Sequence, residues 1–516
     1  MATLLRRPFF PVLFGIYPAL FLYAQAYADT SLTTMLVLVS LCAVASFALW
    51  AACSTILRER SKGAILALAF IGLFYSFGHI CLAILPMMPA QDPSWLGLPI
   101  YKSSLEAGIF LTLAALVAMV WRLLKTRSFD IAATTRFLNT VSLVLTLGAL
   151  ASLGAVILNP HADDGKQLTV PAVALQESAT IKSLGYKPDI YFIVMDGYAR
   201  HDTLERYYDY DNTSFLNSLR ERGFEVSEDS WANYYFTFLS MSSTLNMTFH
   251  DRVPEVVGTD TGNRAGLYEI LRNNAVMRSL RGVGYKFHQI ASTWAGTHVN
   301  PFADHVVATC GGISGDEYLR MFTQSSLLLL LESQGASDIA KCHQNALASL
   351  TSMGSVAGPK FVYVHFVPPH HPYIFDRDGN ILKQATLTDQ FDFQAKNWSN
   401  HEAYLSQLEY IHSRVLTAID QIRKDSTREP VIILASDHGP HIEARTKNAV
   451  RRERLKVLFA ARTPGLSGIW PSPLYSVNMF RHLLNGYYDA RLEILPEKLH
   501  YSSYGKPFRF ELVPRL

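Results

Sequence analysis

Ile190-Tyr-Phe-Ile-Val-Met195 is a run of six residues without a charge, and it ends on Asp196-Gly197. A run this apolar has no solvated face, so it predicts a strand buried on both sides, as in a parallel sheet flanked by helices. The acid and the glycine put a carboxylate and a sharp turn at the strand's carboxyl end, where chemistry gathers in open α/β sheets. The arrangement recurs in Val431-Ile-Ile-Leu-Ala-Ser436, which ends on Asp437-His438-Gly439. Further short apolar runs over 285–291, 360–366 and 456–461 read as parallel strands of the same sheet. Between them lie helical patterns: 213–220 stopped by Gly223, 266–281, and 400–424 with Tyr404, Leu408, Ile411, Val415 and Ile419 at helical spacing. Alternating strands and helices predict an α/β domain with a mostly parallel central sheet.

Upstream, the composition changes. The chain of 516 residues is 49% hydrophobic with net charge +3, and these averages hide an apolar first part. Five runs, 9–27, 32–56, 64–86, 105–124 and 138–158, approach the ~20 residues that span a bilayer. They predict a five-helix transmembrane domain over 1–158, a polar linker over 159–188 and an extracytoplasmic catalytic domain over 189–516. Basic residues collect in alternate connections: Arg6 and Arg7, then Arg58, Arg60 and Lys62, then Arg122, Lys125, Arg127 and Arg136. The positive-inside rule therefore puts the N-terminus in the cytoplasm, and five crossings put the larger domain outside. The first run is not expected to be a cleaved signal peptide, because its apolar part is long and more spans follow. Cys42, Cys53 and Cys81 fall in apolar runs, where a thiol behaves as a small hydrophobe. Cys310 and Cys342 fall in the outer domain, where an oxidising compartment allows a disulfide between them.

The strand ends supply candidate ligands. Asp196, Asp437 and His438 combine carboxylate and imidazole, a set suited to one divalent ion, zinc or manganese. Thr237 opens Thr-Phe-Leu-Ser-Met-Ser-Ser-Thr-Leu-Asn246, which reads as a helix. A hydroxyl there faces unpaired backbone N–H groups and the positive end of the helix dipole, a setting for phosphate. Coordination to the ion would make Thr237 both ligand and nucleophile; Ser240 and Ser242 are the alternatives, set inside the helix. A third cluster, His365-Phe-Val-Pro-Pro-His-His-Pro-Tyr373, follows another predicted strand. His370 or His371 is expected to hold a phosphoryl oxygen or protonate a leaving group. His365 and Asn233 are expected beside the substrate.

With these residues in hand, the stretch from about 189 to 510 resembles the alkaline phosphatase superfamily in its sulfatase-like branch. That branch includes membrane-anchored lipoteichoic acid synthases and phosphoethanolamine transferases, and Tyr475-Ser-Val-Asn-Met-Phe-Arg481 resembles a late segment of its bacterial members. The resemblance implies that Asp196, Thr237, Asp437 and His438 hold the metal, with Thr237 as nucleophile. Two departures shape the expectation. No cysteine has the Cys-x-Pro-x-Arg context that sulfatases convert to formylglycine, and Phe236, not a cysteine, precedes Thr237. The expected activity is a phosphotransferase of a bacterial plasma membrane. It would move phosphoethanolamine or phosphoglycerol from a membrane phospholipid to an envelope glycan through a phospho-threonine. A phosphoester or sulfate-ester hydrolase and a non-catalytic membrane scaffold are the alternatives. No nucleic-acid partner is expected.

Overall fold

The computed structural model describes residues 7–26, 30, 32–84, 94–95, 98–99, 102–126, 130–158, 179, 181, 187–310, 316–382, 398, 400–444 and 446–515. The chain divides into two compact units. One is Met1–Ala162 together with Asp316–Ser333; the other is Asp163–Gly315 together with Gln334–Leu516.

In the first unit the described helices are α1 (Phe10–Ala26), α2 (Leu32–Leu57), α3 (Arg60–Ile84), α4 (Lys102–Thr126) and α5 (Ile131–Leu158). Four of them, α2 to α5, are long and apolar enough to cross a membrane. The span expected over 9–27 is a helix of 17 residues with Pro18 inside it. At 1.5 Å per residue it rises about 26 Å, short of the ~30 Å hydrocarbon layer. Its first N–H groups need partners, and Asn139 of α5 provides one: Phe9 N and Phe10 N each donate to Asn139 Oδ1 at 3.1 Å.

This unit also contains a segment the sequence assigned to the outer domain. The helix Glu317–Gln324 and the 3-10 turn Leu327–Leu331 pack among α1 and α3. Tyr318 donates to Ala19 O at 3.1 Å, and its ring meets Tyr23 edge-on at 5.7 Å. Phe322 lies against Phe74 and Tyr75, and Leu329 is buried with Phe77 and Cys81. The outer unit is therefore interrupted, and the expected continuous domain over 189–516 is corrected accordingly. Cys310 and Cys342, both in the outer unit, are joined by a disulfide that brackets this excursion.

The outer unit is built on a seven-stranded sheet. In chain order its strands are β1 (Ile190–Met195), β2 (Glu225–Val226), β3 (Lys286–Ile290), β4 (His305–Val307), β5 (Lys360–Phe366), β6 (Val431–Ala435) and β7 (Phe459–Arg462). Across the sheet the order is β2-β7-β6-β1-β5-β3-β4. The strands β4, β3, β5, β1 and β6 run parallel. β7 is antiparallel to β6, which corrects the expectation of a parallel strand over 456–461. The reason is the connection: the chain leaves β6 at its carboxyl end, and the helix Lys447–Leu455 finishes at that same end of the sheet, so β7 must run back.

Side chains of β1 alternate between two cores. Tyr191, Ile193 and Met195 join one, with Tyr404, Leu408, Ile411, Val415 and Ile419 of the helix His401–Asp425. Ile190, Phe192 and Val194 join the other, with Met241, Leu245, Phe480 and Leu484. Burial on both faces is what the unbroken apolar run demanded. The stretch 266–281 is not one helix but two, Ala265–Arg272 and Ala275–Gly282. Asn274 breaks it, because its side chain accepts from Met277 N and caps the second helix. The end of the expected linker also belongs here: Ala179 N donates to Ser279 Oγ at 2.8 Å, and Ile181 packs on the second core. The rest of 159–188, save 187 and 188, lies outside the described residues.

Candidate metal and phosphoryl site

The parallel strands deliver their last residues to one edge of the sheet. Asp196 directly follows β1, His365 is the penultimate residue of β5, and Asp437 and His438 follow β6. Register fixes the neighbours: Met195 pairs with Phe366, and Val194 with both His365 and Ala435. Asp196 N donates to Phe366 O at 2.9 Å, and Gly197 N donates to Asp437 Oδ1 at 3.2 Å. Gly197 turns the chain with φ +71°, a region open to glycine, and a Cβ there would lie 2.6 Å from the Trp398 ring.

Two overlapping sets of ligand atoms result. Asp196, His370 and His438 form one, and Asp196, His365 and Asp437 the other, the atoms of each set lying within 4.8 Å of one another. His438 Nε2 is 3.5 Å from Asp196 Oδ1 and 3.4 Å from Asp437 Oδ2; His365 Nε2 is 3.4 Å from Asp196 Oδ2. Asp196 Oδ1, Asp437 Oδ2 and His365 Nε2 are buried and have no hydrogen-bond partner. Orphaned buried atoms of this kind are costly unless an ion satisfies them. The ring tautomers fit an ion as well. His438 Nδ1 donates to Gly439 O at 3.0 Å, and His370 Nδ1 to His371 O at 2.6 Å, which leaves each Nε2 lone pair facing the acids. The residues present therefore suit a divalent cation.

Charge follows burial. Burial raises the Asp196 carboxyl, and burial with the neighbouring Asp196 charge pushes Asp437 up to about 7. Burial pulls His365 down to about 4, and His370 and His438 also below their ordinary value.

Thr237 opens the helix α6 (Thr237–Asn246), whose N-cap, Phe236, offers no side-chain acceptor. Its Oγ1 lies 3.2 Å from His438 Nε2, and the residue is part-exposed between the buried Phe236 and Phe238. Ser240 and Ser242 are buried and bonded to carbonyls, Ser240 Oγ to Asp437 O and Ser242 Oγ to Phe238 O, so both hydroxyls are already engaged. His371 is buried next to His370, with ring centroids 4.1 Å apart. Asn233 is placed differently from its expectation at the substrate. Its Nδ2 donates to Lys498 O and its Oδ1 accepts from Val477 N, both at 2.8 Å, so its amide holds two loops together.

Sequence reasoning missed three groups that line the site. Trp398 is buried, with its ring 4.8 Å from His370. His441 meets Tyr235 Oη at 3.2 Å. Arg454, in the helix Lys447–Leu455, reaches His438 Nε2 with Nη2 at 3.2 Å. The run Arg451-Arg-Glu-Arg454 reads as a solvated charged face; the available signal was its place between one strand's catalytic end and the next strand.

The Sulfatase family model matches residues 188–482, more than half of the chain. No curated protein matches. Among solved structures, the chain is similar to the C-terminal periplasmic domain of EcEptC from Escherichia coli in complex with Zn, at 14% identity and TM-score 0.42, covering 66% of this chain and 97% of that one. It is similar to the C-terminal periplasmic domain of phosphoethanolamine transferase EptC from Campylobacter jejuni at 10% identity and TM-score 0.37, covering 58% and 89%. The lipoteichoic acid synthase LtaP from Listeria monocytogenes follows at 13% identity and TM-score 0.34, covering 59% and 72%.

Proposed function

The chain belongs to the sulfatase family, and from that premise we propose that it is a membrane-bound, metal-dependent phosphotransferase. The observation that carries this reading is the contact of the part-exposed Thr237 hydroxyl with His438 Nε2, at an uncapped helix N-terminus and beside orphaned ligand atoms. A divalent ion, zinc or manganese, held by Asp196, Asp437, His438 and Thr237, with His370 in reach, supplies polarisation of the phosphoryl oxygen and a lower hydroxyl pKa. The Thr237 hydroxyl gives its proton to water, Oγ attacks phosphorus in a membrane phospholipid, the bond to the lipid oxygen breaks, and a phospho-threonine forms. The first-turn N–H groups of α6 face the phosphoryl oxygens. His371 is the candidate for protonating the lipid oxygen, since His370 Nδ1 is already committed to a carbonyl. A hydroxyl of an envelope glycan then attacks phosphorus, its proton returns to His371, and Thr237 leaves. The group carried is phosphoethanolamine or phosphoglycerol.

Sulfate-ester hydrolysis through formylglycine is disfavoured, because the nucleophile position holds a threonine and both outer cysteines are spent on a disulfide. For orientation, the reading takes α1 as a fifth crossing of a bacterial plasma membrane, with the N-terminus in the cytoplasm. The basic residues of alternate connections support it.

Mass spectrometry of the full chain expressed with its native lipids is expected to find a phospho-head group on Thr237. Thr237→Ala is expected to lower turnover by ~10³-fold or more in a folded protein; full retained transfer would sink the proposal. With a labelled phospholipid, label on glycan supports transfer, and free head group points to hydrolysis at the same site.

A further inference from the structure

Arg454 is 3% exposed, and its guanidinium makes three hydrogen bonds, none to a carboxylate. Nε donates to Tyr235 O and Nη1 to Gly439 O, each at 3.0 Å, and these two bonds fix the plane. Nη2 donates to His438 Nε2 at 3.2 Å. The adjacent acid is already committed: Glu453 accepts from Thr203 Oγ1 and pairs with Lys456. Among the described residues no ion pair holds Arg454, although a buried guanidinium normally grips a carboxylate or a phosphate with its fork. The ring of Trp398 and that of Tyr235 lie 5.5 Å and 5.0 Å from its Cζ, so the cation is shut away from water.

The Nη2 bond ends on a contested atom. His438 Nδ1 donates to Gly439 O, so Nε2 carries the ring's one lone pair. That lone pair is the one a divalent ion needs, and it cannot serve the ion and Arg454 together. When the ion binds, Nη2 loses its acceptor, while Nε and Nη1 stay tied to backbone carbonyls. A buried donor left without an acceptor is costly. Thr237 Oγ1 lies 3.2 Å from the same Nε2, so the nucleophile and Nη2 converge on one ring nitrogen.

We propose that Arg454 is an anion clamp set by the metal: an ion at His438 displaces Nη2, which then grips a phosphoryl oxygen, so that ion and phosphoryl group strengthen each other's binding through this arginine. The inference rests on the phosphoryl-transfer reading of the site. It adds, to whatever coupling direct contact between ion and phosphate gives, a part that passes through Arg454.

The test measures zinc affinity of the full chain in detergent, with and without inorganic phosphate, by calorimetry for wild type, Arg454→Gln and Arg454→Lys. In Arg454→Gln, zinc alone is expected to bind severalfold tighter, because a competing donor and a like charge are gone. Phosphate affinity of the zinc-loaded variant is expected to fall about tenfold to a hundredfold, the loss of one charged hydrogen bond. Arg454→Lys keeps the buried charge but not the fork, and should lose about tenfold in phosphate affinity. Weaker zinc binding in Arg454→Gln would show an arginine that merely props His438, and would overturn the clamp. Unchanged phosphate affinity in either folded variant would also overturn it; if Arg454→Gln does not fold, Arg454→Lys decides. No turnover is needed, so the outcome is independent of Thr237: a clamp that holds while Thr237→Ala keeps full transfer would refute the phosphotransferase reading alone.

Discussion

Strand β1 starts beside Asp189 and ends on Asp196, and the two carboxylates live in opposite circumstances. Asp189 accepts from the buried ammonium of Lys360 and, at 3.1 Å, from Lys360 N. Its backbone oxygen accepts from Val431 N at 2.8 Å, so it stitches the amino ends of β1, β5 and β6 together. Asp196, one strand length away, faces a second carboxylate, and Asp196 Oδ1, Asp437 Oδ2 and His365 Nε2 go without hydrogen bonds. One end of the sheet is satisfied by the protein itself, and the other keeps polar atoms that the protein leaves without partners. The lesson is that a strand end with unmet polar groups is a place for function, and its cost is carried by the well-paired opposite end.

Opposite responses to one substitution would sharpen this contrast. Asp189→Asn strands the Lys360 charge and should destabilise the outer unit by about 3 kcal/mol. Asp196→Asn removes one of two like charges, and should stabilise the metal-free protein by about 2 kcal/mol while lowering zinc affinity. Thermal melts of chelator-treated protein at pH 8 read both; destabilisation by both would erase the distinction between the ends.

A pH series isolates the same carboxylate pair. The folded pKa of Asp437 is raised, so the folded state holds its proton more tightly than the unfolded chain does. Its contribution to stability is full below pH ~3.9, the unfolded value, and is lost as pH rises through about 7. Asp437→Asn is immune to that loss. Without metal, its advantage over wild type should be negligible near pH ~3 and grow through pH ~5 to roughly 3–4 kcal/mol by pH ~8. A difference that is flat with pH would mean the pair carries no strain. The smallest effect is expected at Gly197, where alanine must hold φ +71° and push into Trp398. Gly197→Ala should cost about 1–2 kcal/mol and disturb Trp398 fluorescence; an unshifted melt would mean the turn has slack.

Much of this site was legible in the sequence, for a definite reason. A strand buried on both faces leaves an unbroken apolar run, so the first acid after it is conspicuous, and Asp196 and Asp437-His438 stand out. Thr237 was visible through the helix it begins. Arg454 was not, because four charged residues in a row read as a wet surface, and only the tertiary fold turns the last of them inward. Asn233 misled by proximity: four positions before Thr237, it bonds to the backbone of Val477 and Lys498. The antiparallel β7 was hidden too, since an apolar run carries no direction. Leu327–Leu331 fell inside the stretch assigned to the outer domain, and the partners of Leu329, Phe77 and Cys81, lie some 250 residues earlier, a pairing no local pattern reveals.

That five-leucine excursion has a practical consequence for handling the protein. Cutting the gene ahead of residue 188 would not yield a clean soluble catalytic fragment. The piece would still carry Asp316–Ser333, with Tyr318, Phe322 and Leu329 stripped of α1 and α3 and left sticky. Since Cys310 and Cys342 are already bonded to each other, the segment Asp316–Ser333 alone can be exchanged for a short polar connector, which leaves Ile339 and Ala340 in the outer core. A fragment designed that way keeps every residue of the candidate site and sheds the grease.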